Sequence, residues 1–208
     1  MLGIKGYTEA KATEFSGDLP KLEPGGYVLK ILNVKVEETQ YGTKLAFQFD
    51  IAEGANKDFF KKLYDATPDD WDNKKWKGSY RMKIPQNEGD ETKYKKSLGF
   101  FKSQIKAFEE SNNNLRIDAE SDWDEQTLKG KLVGALFNEK EFDFYGKHGM
   151  FTQCKRFMSA VDVRAGKFSI PKPDMLNKSS ETASSTANNT VNVDLSDFIE
   201  INTDDVPF

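Results

Sequence analysis

Between residues 22 and 64 the apolar positions of this chain tend to recur every second residue, the spacing of strands with one face in a core. Leu22-Glu23-Pro24-Gly25-Gly26-Tyr27 reads as a turn that launches a strand from Tyr27 to Val36, with Val28, Leu32, Val34 and Val36 on one pleat face. After a turn at Tyr41-Gly42-Thr43, Leu45, Phe47, Phe49 and Ile51 alternate with Lys44, Ala46, Gln48 and Asp50. A third apolar strand is expected across Asp58 to Tyr64. A short fourth follows at Ser79 to Ile84 and is stopped by Pro85. Between these two lies a charged loop, Asp65 to Gly78, that carries Trp71 and Trp76.

The period then changes. Leu98, Phe101, Ile105 and Phe108 fall at helical spacing with Lys102, Lys106, Glu109 and Glu110 outside, and Asn112-Asn113-Asn114 ends the helix. Lys131 to Phe144 and Phe151 to Val163 read as two strands joined by a Gly-bounded turn around His148. The spacing of Phe59, Phe60, Phe100, Phe101 and Phe108 places them in the core. This order predicts a mainly β fold with one amphipathic helix. It matches the five-stranded Greek-key barrel of the OB-fold, whose helix lies between the third and fourth strands. Other small β barrels and an α+β sandwich fit the periodicity as well.

From about Ser169 the pattern disappears. Ile170-Pro171-Lys172-Pro173 breaks regular structure, and residues 177 to 192 are nearly all Ser, Thr, Asn and Ala. Such a segment buries too little apolar surface to offset its ordering entropy, so a disordered tether is expected. The expected organisation is an N-terminal arm (1–21), a folded domain (22–168), a linker (169–193) and an acidic tail (194–208). Residues 169 to 208 hold two lysines against seven acidic residues, while the remainder holds 28 basic and 27 acidic. The acidity of the chain therefore belongs to its tail. A body of roughly 145 to 165 residues is enough for one domain with a genuine core. No apolar run approaches the roughly 20 residues of a membrane span, and the N-terminal residues lack a charged-then-apolar signal layout. Cys154 is the single cysteine, so no intramolecular disulfide forms, which fits a reducing cytoplasm.

The tail ends in Asp204-Asp205-Val206-Pro207-Phe208. Two carboxylates, a stiffening proline and a terminal aromatic with its own α-carboxylate suit a partner pocket with an apolar floor and a Lys/Arg rim. This ending resembles the acidic tip of bacterial and phage single-stranded DNA-binding proteins, which typically reads Asp-Asp-Asp-Ile-Pro-Phe; here Thr203 and Val206 replace an Asp and the Ile. The body is similar to phage-encoded members of that family with an OB-fold. Leu22 to Tyr27 before a strand, Gly42 in the first hairpin and Leu128-Lys129-Gly130-Lys131 before the fourth strand carry the likeness, while the Trp-bearing loop departs from it. The resemblance implies non-enzymatic coating of single strands in phage or mobile-element replication, recombination or repair, in a bacterial cytoplasm. It also implies recruitment of replication, recombination or repair enzymes through the tip, without a cofactor.

Single strands are gripped by aromatic faces that stack on bases beside cations that neutralise phosphates. The densest such interleaving is Trp71, Lys74, Lys75, Trp76 and Lys77, followed by Tyr80, Arg81 and Lys83. The alternative use of one or both tryptophans is to cap the barrel. Lys155 and Arg156 beside Phe157 form a second candidate site, and Asp69, Asp70 and Asp72 dilute the field of the first. With one histidine and one cysteine, thiolate or imidazole zinc sites are excluded, and any Ser–His or Cys–His chemistry would run through His148 in its turn. Asp69-Asp70-x-Asp72 and Glu88-x-Asp90-Glu91 are carboxylate clusters of the kind that hold Mg²⁺, but in loops, where acidic residues are ordinarily solvated. No phosphate-cradling Gly-x-x-x-x-Gly-Lys-Ser/Thr run is present. Two readings compete with DNA coating: a protein-interaction factor that uses the tip to occupy host replication or repair proteins, and an RNA-binding OB module.

Overall fold

The computed structural model describes residues 20–68, 74–144 and 146–176. Its centre is a five-stranded antiparallel sheet in the order β3-β2-β1-β4-β5. The strands are β1 (Gly25–Thr39), β2 (Gly42–Ile51), β3 (Ser79–Lys83), β4 (Leu132–Phe144) and β5 (Lys147–Met158). The helices are α1 (Phe59–Ala66), α2 (Glu91–Ser111) and α3 (Ala160–Arg164), with a 3₁₀ turn at Glu125–Leu128 before β4. The chain is thus mainly β, as its alternation predicts. No helix among the described residues is long and apolar enough to cross a membrane.

β1 organises the sheet because it is shared. Its first half, Gly25 to Lys30, pairs with β4, and Leu29 to Thr39 pairs with β2. Between Ile31 and Asn33 the register against β2 slips by one residue, so Leu32 is extra. A bulge of this kind bends the strand and exchanges its faces. Of the face expected for β1, Val28 and Val34 are buried, but Leu32 and Val36 are 38% and 47% exposed, and Leu29 and Ile31 are buried instead. On β2 the expected alternation holds, with Leu45, Phe47, Phe49 and Ile51 all buried.

The strand expected across Asp58 to Tyr64 is instead helix α1. Phe59 and Phe60 are neighbours and both are buried, which a strand with one solvent face does not allow and a helix does. The buried Asp50 carboxylate at the end of β2 accepts from the backbone N–H of Ile51, Phe60 and Lys61 (2.8, 2.9 and 3.0 Å), holding the first turn of α1 from another element. The strand expected to run on to Val163 also stops early, at Met158. Ser159 Oγ accepts from the Val161 N–H, and α3 follows. α3 packs flat on β4 at Gly134, where a Cβ would lie 2.7 Å from both the Ser159 carbonyl and the Val163 methyl. Arg164 on α3 makes a bidentate ion pair with Glu53 beyond β2 (2.6 and 3.0 Å).

Helix α2 matches the expected period only in part. Asp90 caps it by accepting from the Thr92 and Lys93 N–H groups (both 3.0 Å), and Asn112 closes it. Burial begins at Phe101 and includes Gln104, Ile105 and Phe108. Leu98 and Phe100, expected in the core, are both 43% exposed on the half of the helix that precedes the sheet contact. Gln104 joins the two edges of the sheet. Its Oε1 accepts from the Tyr80 hydroxyl on β3 and the Phe157 N–H on β5 (both 3.0 Å), and the two rings meet edge to face at 4.9 Å. Among the described residues no ladder pairs β3 with β5, so these side chains make the junction.

Beyond Gly166 the chain turns back over the sheet. The Phe168 ring covers Gly26 of β1, and Asp174 forms a parallel bridge with Lys140 of β4. Residues 172–176, expected in the tether, therefore lie against the domain.

Candidate nucleic-acid interface

Trp71 lies outside the described residues, as do Asp69, Asp70 and Asp72 and the tip residues Asp204, Asp205, Val206, Pro207 and Phe208. Trp76 is half-buried and packs against the core. Its indole N–H is shared between the carbonyls of Phe49 and Gly78 (3.1 Å each), and its ring leans on Tyr64 at 6.0 Å. Lys74 Nζ sits 4.8 Å over the other aromatic of that pair, Tyr64, while Lys75 and Lys77 are exposed. Tyr80 faces inward. Burial pushes its phenol far above the ordinary range, and its hydroxyl is bonded to Gln104, so this residue is corrected from a stacking platform to part of the β3–β5 junction.

Arg81 and Lys83 project from the opposite face of β3. In register with them on β2 are Ala46 and Lys44, and next on β1 come Lys35 and Glu37. This gives the outer face four cations and one central carboxylate. Glu37 is bonded to Lys35 (2.7 Å) and to Arg81 (3.1 Å). Burial raises the Glu37 carboxyl, but the two cations outweigh it and hold the group below its usual range. Lys83 stands 3.9 Å from Glu88. Cations are present on this face, but none of these six outward positions is aromatic.

The β4–β5 hairpin differs. Past the end of the β1 pairing it projects as an arm whose two faces have opposite chemistry. One face carries Glu139, Glu141 and Asp143 opposite Thr152, Met150 and His148. The other carries Lys140, Phe142 and Phe144 opposite Phe151, Gly149 and Lys147. Lys140 Nζ lies 6.0 Å over the Phe151 ring, and Phe142 and Phe151 meet at 6.2 Å. The Phe142 ring also covers Gly149, where a Cβ would lie 2.8 Å from it and push the ring aside. These rings are half-buried and belong to no part of the central core cluster. Alternation of Lys140, Phe142 and Phe144, followed by Lys147 and Phe151 across a two-residue turn, was the sequence signal for this strip. His148 stands just past that turn on β5, exposed, with Nδ1 3.3 Å from Asp143 Oδ2.

At the base of the same face stand Lys155 and Arg156. A second register slip, between Leu136 and Phe137, bends β5 there. Arg156 is exposed. Lys155 Nζ is held by both oxygens of Asp174 (2.8 Å each), and Gln153 Nε2 donates to the same carboxylate at 2.9 Å. Phe157 beside them is buried in the core. The structure thus separates the expected site into three places: the Trp76 end, the outer face of β2 and β3, and the base of the arm.

The described carboxylate cluster is engaged locally: Asp90 caps α2, Glu91 pairs with Lys95 (2.7 Å) and Glu88 with Lys83. Among the described residues no three His, Cys, Asp or Glu side chains converge as metal ligands do. The chain matches no protein-family model, and no curated protein matches it either.

Proposed function

We propose that this chain is a non-enzymatic, single-stranded DNA-binding protein built on an OB-type barrel. The strand order, with a long helix between β3 and β4, supports the barrel reading. So do the bends in β1 and β5 and the Gln104 junction between the edge strands. OB barrels use the outer face of strands 2 and 3 and the loops between strands 1 and 2 and strands 4 and 5 for oligonucleotides. The observation that carries the function is the arm: three phenylalanines interleaved with Lys140 and Lys147 on one face, and the hairpin's own carboxylates on the other. Rings stack on bases of any sequence, cations meet phosphates, and the acidic face turns the strand away. Lys35, Lys44, Arg81 and Lys83 extend the cationic surface without aromatic stacking.

Binding is expected to favour single strands over duplex, to show little base preference and to weaken with salt. The log–log slope should be about −0.7 per phosphate contact. Anisotropy titration of the full chain with labelled single-stranded DNA, duplex and RNA at two salt concentrations tests this. Equal affinity for duplex overturns the single-strand reading, and tighter RNA binding moves the substrate to RNA. The tip, Asp204 to Phe208, recruits replication, recombination or repair enzymes in this reading. Replacing Phe208 by Ala should abolish their capture from a bacterial lysate while DNA binding persists. Capture without any DNA binding would favour the interaction-factor reading.

A further inference from the structure

We propose that residues 172–176 are a releasable latch that holds Lys155 away from nucleic acid, and that a bound strand opens it. The proposal rests on the single-strand reading above. The latch adds one short parallel strand to the edge of β4 that β1 leaves uncovered: Asp174 N–H donates to the Glu139 carbonyl and the Glu141 N–H to the Asp174 carbonyl (2.8 Å each). Asn138 Nδ2 donates to the Lys172 carbonyl (2.9 Å), and the Leu176 N–H to Glu141 Oε2 (3.0 Å). The bridge pairs Asp174 with Lys140, so its side chain stands on the aromatic face of the arm. There it reaches over Asn138 to Gln153 and Lys155.

Every one of these anchors is polar, and water or an incoming phosphate can replace it. Of the segment's apolar side chains, Met175 is 62% exposed and Leu176 is half-buried, and neither belongs to the core cluster. Pro171 and Pro173 flank the contact and have no N–H, which limits the added strand to a single bridge. Firm attachment ends at Phe168, whose ring covers Gly26. What the latch occupies is the one cation at the base of the strip that a carboxylate already neutralises at 2.8 Å. A phosphate is a direct substitute for that carboxylate, and linkage requires that whatever displaces the latch is weakened by it.

The test is anisotropy titration of labelled oligothymidylate against the full chain as wild type, Asp174→Asn, and Asp174→Asn with Lys155→Gln, across salt. Asp174→Asn should bind roughly three- to tenfold more tightly at low salt, with a log–log slope steeper by about 0.7, one more phosphate contact. The double variant should lose the gain. In the wild type, adding oligothymidylate should speed hydrogen exchange at the Glu141 amide, and this measurement needs no variant to fold. Wild-type binding with Asp174→Asn unchanged, a gain that survives Lys155→Gln, or Glu141 exchange unaffected by bound oligonucleotide each overturn the latch and leave the single-strand reading standing. Absence of binding by wild type and variants alike overturns both.

Discussion

At the β3 end of the molecule Trp76 lies between Lys75 and Lys77; on the arm Phe151 lies across from Lys140 and two rungs from Lys147. Both are half-buried aromatics among lysines. Trp76 has its N–H bonded to two backbone carbonyls and its ring against the core, so it closes the end of the sheet. Phe151 lies against Phe142 and beneath Lys140 and is not part of the core cluster. An aromatic among cations becomes a binding platform only where the core does not already use its faces. The comparison places Trp76 with the core, and the proposed recognition surface on the arm.

The largest effect expected is on Trp76. Replacing it by Ala should cost about 3 kcal/mol of stability through the lost packing, read as a lower urea midpoint, with single-strand affinity of the folded fraction nearly unchanged. A stable Trp76→Ala protein that no longer binds would reverse the assignment. Next, Phe151→Ala and Phe142→Ala should each weaken single-strand binding by about 1–3 kcal/mol in anisotropy titrations while the unfolding midpoint moves little. Unchanged affinity in both would move recognition to the β2–β3 face.

Glu37 sharpens the boundary between these surfaces. Glu37→Gln removes the carboxylate that Lys35 and Arg81 share and should tighten low-salt binding by about twofold, an effect that salt removes. No change at low salt would confine recognition to the arm. The smallest effect concerns α3. The bond from Arg164 holds the Glu53 carboxyl below its ordinary value of 4.5. A depressed folded value contributes stability that is fully present above 4.5 and is lost as pH falls through the folded value. Both side chains are 43% exposed, so the contribution is small. Arg164→Gln should lower the melting temperature slightly at neutral pH and leave it unchanged once pH falls below the folded value, so the acid limb of the profile flattens.

The alternation of β2, the helix around Phe101 to Phe108 and the approximate spans of the closing hairpin were legible because each is set by local period. The misreadings have local causes too. Phe59-Phe60 with Leu63 and Tyr64 already follows helical spacing, but a short apolar run does not choose between strand and helix until something caps it. Asp50 supplies that cap, from another element. Within the dense Trp71 to Lys83 interleaving, Tyr80 is turned inward to Gln104, a contact no local pattern indicates. The strip on the arm was spelled out as alternation, but its meaning depended on knowing that the face carries no core.

By itself the sequence determined what period and composition control: mostly strands, one long helix, an acidic polar tail and a tip resembling a known family's. These follow from which side chains leave water together along a single element. Tertiary structure decided which face each element shows. One extra residue at Leu32 exchanged the inside and outside of β1, and the end of the sheet contact left Leu98 and Phe100 exposed on an otherwise well-predicted helix. It also brought Asp174 from a segment read as tether onto Lys155. Bulges, caps and edge pairings are contacts between residues far apart in the chain, so no local pattern encodes them.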